Sequence, residues 1–170
     1  MSAALAFLGL GSNLAHPRRQ IARAVRAIGR LPRLRVVAVS PNYTSAPIGG
    51  EAGDPDYVNA VVAVRTALSP RALLAALHSI ERHQHRRRER ETRRNASRTL
   101  DVDLLLFGRR RIGLPGLTVP HPRMHQRAFV LRPLADIALG ATIPGRGLAR
   151  RYLGTVRDQH IARTRTHFLR

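Results

Sequence analysis

The chain has no cysteine, no tryptophan and no lysine, so all 30 of its basic residues are arginine. Without cysteine there is no disulfide framework and no thiolate metal site. Aromatic residues make up only 4%. The core must therefore rest on Val, Leu, Ile and Ala, and platforms for stacking nucleic-acid bases are scarce. No apolar run reaches the ~18 residues that suggest a membrane span. Acidic residues are few as well, ten against thirty basic, for a net charge of +20. A field of that sign draws polyanions: nucleotides, nucleic acid or acidic membrane surfaces. Arginines scattered from Arg18 to Arg170 also fit a solvated surface filled by arginine-biased usage. The run from Arg82 to Arg98, with eight arginines, stands apart from that background.

What is present reads as globular. At 170 residues, 44% hydrophobic and 24% charged, the chain fits one domain over residues 1–170 with one core. The apolar start is short, lacks a basic flank and is interrupted by Gly9, Gly11 and Asn13. It reads as a first strand entering a turn, not as a signal peptide, and the expected location is the cytoplasm.

Residues 5–10 form a short apolar strand pattern. Pro17 opens a helical pattern with Ile21, Ala24, Val25 and Ile28 on one face. Residues 34–40 and 57–66 read as strands, and residues 43–56, rich in Gly and Pro, as a long loop between them. Ser69-Pro70 is an N-cap and first-turn pair for a helix with Leu73, Leu74, Leu77 and Ile80 on one face. Residues 99–107 are the clearest strand. A turn at 113–116 follows, then a short extended stretch at 117–120. Residues 127–137 read as partly helical with Pro133 as a kink, and the tail after Gly145 is weakly patterned. Helices and strands alternate without a regular βαβ rhythm, which favours an α+β sandwich with helices on one face.

The chemistry concentrates in residues 98–107. Strand periodicity puts Leu100, Val102, Leu104 and Leu106 on one face, and Asp101 and Asp103 on the other, ~7 Å apart at Cα. Two carboxylates that close repel unless a cation lies between them. Mg²⁺ suits such a pair, since it takes one or two carboxylates together with substrate phosphates. A solvent-facing edge strand carrying two Asp is the plain alternative. The adjacent arginine run, with Glu89 and Glu91 interleaved, cannot pack as core and reads as a cationic loop. Guanidinium groups beside a dicarboxylate metal site are what phosphoryl transfer requires. A nucleic-acid-binding arm is the rival, disfavoured because no aromatic interleaves with the arginines. His121 and His125 stand four apart, but Pro120 and Pro122 argue against a helical zinc pair.

The segment 94–105, Arg-Asn-Ala-Ser-Arg-Thr-Leu-Asp-Val-Asp-Leu-Leu, resembles the signature of the 6-hydroxymethyl-7,8-dihydropterin pyrophosphokinase family. Segments 10–14, 43–49, 56–60, 117–121 and 127–131 resemble further family motifs in the same order, so the likeness spans roughly residues 4–145. The resemblance implies a ferredoxin-like α+β two-layer sandwich, a mainly antiparallel sheet covered by helices. It also implies that Asp101 and Asp103 hold two Mg²⁺ ions against ATP. The substrate hydroxyl would attack the β-phosphorus, AMP would leave, and the product would serve folate synthesis. By the same correspondence Ser45, Ile48, Tyr57, Asn59 and Phe129 would form the pterin pocket. Glu81, Arg98, Thr118, His121 and Arg127 would contact ATP, and Arg88, Arg90 and Arg98 would act in catalysis. Residue chemistry alone leaves Asn59 open as an ordinary strand residue, Phe129 as core and Glu81 as an ordinary helix residue.

This sequence departs from the family where the substrates are enclosed. Asn95-Ala96-Ser97 replaces an aromatic followed by Gly-Pro, Pro122 stands where an aromatic is common, and His78 stands where Gln is. A paralogue acting on another pterin, or acting slowly, is therefore the second reading. A non-catalytic nucleic-acid binder is the third. If the missing aromatic is a lost lid, Asn95→Trp should tighten pterin binding or speed turnover, read by titration and single-turnover kinetics. No gain in either quantity would favour the paralogue.

Overall fold

A computed structural model of the chain describes residues 3–49, 53–84 and 100–164. In chain order the elements are β1 (Ala4–Ser12), α1 (Pro17–Gly29), β2 (Leu34–Val39), β3 (Tyr43–Ser45), β4 (Tyr57–Thr66) and α2 (Pro70–Gln84). They continue with β5 (Asp101–Phe107), β6 (Ile112–Leu114), β7 (Leu117–Val119), a 3-10 turn (Met124–Gln126) and α3 (Ala128–Ile137). The last are β8 (Thr142–Ile143), β9 (Gly147–Leu148), a 3-10 helix (Ala149–Val156) and β10 (Ile161–Arg163). Among the described residues no helix is long and apolar enough to cross a membrane.

The main sheet has six strands in the order β10-β3-β4-β1-β5, with β2 also paired to β4. Its neighbouring strands run antiparallel. β1–α1–β2 and β4–α2–β5 are two interleaved split βαβ units, the ferredoxin-like arrangement. Pro17 starts α1 at a position where its missing N–H costs nothing. Ser69 Oγ accepts the Ala72 N–H at 3.1 Å to cap α2, as its residue type predicts.

On one face of the sheet, Leu8, Leu10, Val62, Val102 and Leu104 pack against Ile21, Ile28, Leu73 and Leu77 of α1 and α2. On the other, Phe7, Val61, Ala63 and Leu105 pack against Val130, Leu131 and Leu134 of α3. The expectation of helices on one face alone is thus corrected. β1, β4 and β5 carry apolar residues at both phases of the pleat, and both faces need covering. α3 runs unbroken through Pro133.

Two further expectations change. Leu104 pairs with Leu8 but Leu106 pairs with Phe7, so Leu105 is an extra residue in β5. This bulge reverses the phase, sending Leu106 to the α3 side and Phe107 to the α1/α2 side. Leu106 therefore does not share a face with Leu100. Second, residues 43–45, read as loop, form β3, and the weakly patterned tail supplies β10 as its outer neighbour. Strands of three residues are too short to register as alternation. Tyr43 Oη donates to Asp136 Oδ2 at 2.7 Å, tying β3 to α3. Burial and then the Asp136 carboxylate push the Tyr43 phenol up to about 12, so it stays a donor.

β5 lies at the end of the sheet, and its outer edge is pinned twice. Glu81, buried on α2, accepts the Val102 N–H at 2.7 Å. Beyond β7, the His121 N–H donates to the Leu105 carbonyl at 2.9 Å. Asp103 stands between these two ties. Glu81→Ala should leave the Val102 N–H without its acceptor and destabilise the fold by about 1–3 kcal/mol, read from the urea midpoint. Glu81→Gln keeps an acceptor oxygen and should lose less.

Candidate active site

Strand register builds the site. Asp101, Gly11 and Asn59 lie side by side across β5, β1 and β4, and Asp103, Gly9 and Val61 form the next row. Directly paired residues project to the same face, here the α3 face. Gly9 and Gly11 thus leave a bare floor between the carboxylates and Asn59. A Cβ at Gly11 would meet Asn59 Oδ1 at 3.4 Å, and one at Gly9 would meet the Leu105 side chain at 3.4 Å. With neighbouring strands ~4.8 Å apart, Asp101 and Asn59 face each other across a gap of ~10 Å.

That floor underlies a cavity of about 270 Å³. Of the residues singled out in the sequence, Ser45, Ile48, Tyr57, Asn59, Asp101, Asp103, His121, Arg127 and Phe129 all line it. Ile48 is 57% exposed, so it forms rim, not wall. Phe129 is half-buried, packed partly on the core and partly on the cavity. Asn59 Nδ2 donates to Ser45 Oγ at 2.9 Å, and both residues are buried. This bond fixes the amide, leaving Oδ1 on the Gly11 side. The cavity lies just below the ~300–1,000 Å³ range of small-ligand sites, a size that suits one compact ring system.

A second hollow, of about 300 Å³, shares Asp103 and His121 with the first. Thr118 lines it, together with His78 and Pro122, the two positions that depart from the family pattern. Glu81 lines neither hollow. Its carboxylate is engaged with the Val102 backbone between the two aspartates. Arg88, Arg90 and Arg98 lie outside the described residues, as do Asn95, Ala96 and Ser97.

Electrostatics centre on Asp103. Arg127 Nη1 and His121 Nε2 each stand 3.9 Å from its Oδ2. Burial first, then Arg127 and Arg123, push His121 down to about 4, so at neutral pH its imidazole is uncharged. His121 Nδ1 accepts the Arg123 N–H at 3.2 Å, which puts the ring proton on Nε2, facing Asp103. Burial also lowers the Arg127 pKa, while Asp103 opposes the shift. The Arg127 guanidinium carbon lies 5.4 Å from the centre of the Phe129 ring, which supports it by a cation–π contact. His125 goes elsewhere: it is buried edge-on against Tyr152, with ring centres 5.4 Å apart. The two histidines therefore form no pair.

Among the described residues no group of three or more His, Cys, Asp or Glu could hold a metal by itself. The donor set is two carboxylates lining the cavity, Asp103 being 37% exposed at its side chain. That set cannot cage an ion, but it matches one that takes two carboxylates and fills its shell with phosphate oxygens and water. Gly9, Gly11 and Arg123 line the cavity without having been singled out as site residues. Gly9 and Gly11 carried a signal, since glycine at alternate positions of an apolar strand marks close approach to its face. Arg123, exposed on the cavity wall, carried none.

Comparison with known proteins places the chain in a family. A family model described as 7,8-dihydro-6-hydroxymethylpterin-pyrophosphokinase matches residues 7–139. The β8–β9 hairpin, the second 3-10 helix and β10 lie beyond that match. A Pseudomonas aeruginosa 2-amino-4-hydroxy-6-hydroxymethyldihydropteridine pyrophosphokinase is 52% identical over 138 residues, 81% of this chain and 83% of the relative. The Haemophilus influenzae protein of the same name is 45% identical over 139 residues, covering 82% and 84%. Among solved structures, an HPPK-DHPS in complex with substrates superposes with a TM-score of 0.68 at 14% identity. The match covers 91% of this chain but 43% of that one, and it speaks for the fold alone. On the family match and these relatives, the chain belongs to the 7,8-dihydro-6-hydroxymethylpterin-pyrophosphokinase family.

Proposed function

We propose that this chain, as one pyrophosphokinase domain, transfers diphosphate from ATP to the hydroxymethyl group of 6-hydroxymethyl-7,8-dihydropterin. The observation that carries the proposal is the meeting of two hollows at Asp103 and His121. One holds a ring-sized space beside Asn59, Tyr57 and Phe129, and the other opens toward Thr118. A transfer between two substrates needs their reacting ends side by side.

In this reading the pterin lies on the bare floor at Gly9 and Gly11. Tyr57 and Phe129 offer apolar faces to its ring, and Asn59, oriented by Ser45, offers the polar atoms that match its edge. ATP occupies the second hollow with its phosphates toward Asp103. Asp101 and Asp103 would hold Mg²⁺, two ions by family resemblance, and bound there the metal would neutralise charge on the phosphate oxygens. Arg127 remains cationic, and its planar guanidinium donates hydrogen bonds to phosphate oxygens. Neutral His121 donates its Nε2–H to phosphate without adding charge. The pterin hydroxyl oxygen forms a bond to the β-phosphorus, the bond from that phosphorus to the AMP oxygen breaks, and the hydroxyl proton is released. Arg88, Arg90 and Arg98 belong to the same reading as the guanidinium groups that stabilise charge on the transferred group.

The direct test is AMP release from ATP with Mg²⁺ and 6-hydroxymethyl-7,8-dihydropterin. Release with this pterin supports the reading; release only with a different pterin favours the paralogue. Asp101→Ala or Asp103→Ala should lower turnover by more than about 10²-fold, with the melting temperature of the ligand-free protein nearly unchanged. Full activity in either variant would remove the metal role. Asn59→Ala should weaken pterin binding by about 1–3 kcal/mol with ATP affinity nearly unchanged, as read by calorimetry. Equal losses for both ligands would indicate a disturbed fold.

A further inference from the structure

Arg127 caps the start of α3, yet its side chain makes no cap hydrogen bond. An arginine has no acceptor with which to make one. The first N–H groups of a helix still need partners, and here one comes from a distant part of the chain. Gln159 Oε1 accepts the Ala128 N–H at 2.8 Å, and Gln159 Nε2 donates to the Gln126 carbonyl at 2.8 Å. These two backbone groups lie immediately before and after Arg127. A single carboxamide thus clasps the peptide on both sides of the residue that faces Asp103.

The clasp is itself anchored. The Gln159 N–H donates to the Val156 carbonyl at 3.2 Å, at the end of the 3-10 helix. Two residues later Ile161 pairs with Ser45, so the same segment runs from the Arg127 wall of the cavity to the Ser45 wall. Only a side chain with one donor and one acceptor at this reach completes both bonds. Glutamate keeps the acceptor and loses the donor, and alanine loses both.

We propose that Gln159 is a positioning residue for the reaction, acting through Arg127. By fixing the backbone on either side, it sets where the guanidinium stands relative to Asp103 and the phosphates. The inference rests on the reading that Arg127 contacts the nucleotide. A misplacement of a binding group by about 1 Å is enough to cost up to ~10²-fold in rate, so a modest loosening here has a measurable effect.

The test is a double-mutant cycle on kcat/KM for ATP, measured by AMP release with 6-hydroxymethyl-7,8-dihydropterin. Q159A should lower kcat/KM by about tenfold, and R127A by more. The double variant should be no worse than R127A alone, because Gln159 has nothing left to position. Q159E keeps the bond to Ala128 and loses the one to Gln126. It should still fold, with a lowered melting temperature, and lose activity only while Arg127 is present, which preserves the test if Q159A folds poorly. An equal Q159A loss with and without Arg127 would make Gln159 merely structural and overturn the proposal, as would wild-type kcat/KM in Q159A and Q159E. An R127A variant with undiminished kcat/KM would remove the Arg127 reading itself, and this proposal with it.

Discussion

The site depends on one constraint: two carboxylates at alternate positions of an edge strand, both turned toward a floor without side chains. Asp101 and Asp103 project to the same face because strand period is two, and their neighbours on β1 are Gly11 and Gly9. Any larger residue at those glycines would intrude on the floor of the cavity. The strand bearing the carboxylates is also an edge, so its outward backbone groups need partners other than another strand. Glu81 and the His121 backbone provide them on either side of Asp103. A buried acidic side chain on α2 and a turn after β7 thus hold the strand that carries the carboxylates.

The surrounding charges follow from that arrangement. Asp103 draws Arg127 and the Nε2 edge of His121 toward it, and burial keeps the imidazole neutral. Among the described residues this leaves Arg127 and Arg123 as cations and His121 as a neutral donor at the rim where phosphate would lie. Among the described residues the other arginines are exposed to solvent. Arg127 differs from them in being only 19% exposed at its side chain, stacked on Phe129 and clasped at its backbone by Gln159.

Much of this was legible in the sequence where local physics is strong. The β4 run, the Ser69-Pro70 helix start and the Asp-Val-Asp alternation all express the periodicity or chemistry that forms them. The site residues from Ser45 to Phe129 came from ordered motifs, and the fold brings nine of them to one cavity. What escaped depends on contacts distant in sequence. The Leu105 bulge arises from pairing with β1, and β3 and β10 exist only because β4 and each other supply their partners. Glu81, assigned to ATP by resemblance, gives no sequence signal of its bond to the Val102 backbone. Gln159 has no local signal, because its role is defined by backbone atoms more than thirty residues away.

The central claim is that Asp101 and Asp103 share one face in order to bind metal together with nucleotide. The most direct measurement is a Mn²⁺ titration in the presence of a non-hydrolysable ATP analogue, with free ion counted by electron paramagnetic resonance. The account predicts two nucleotide-dependent Mn²⁺ sites per chain, both lost in the Asp101→Asn/Asp103→Asn protein. Uptake of the same Mn²⁺ by that double variant would contradict it.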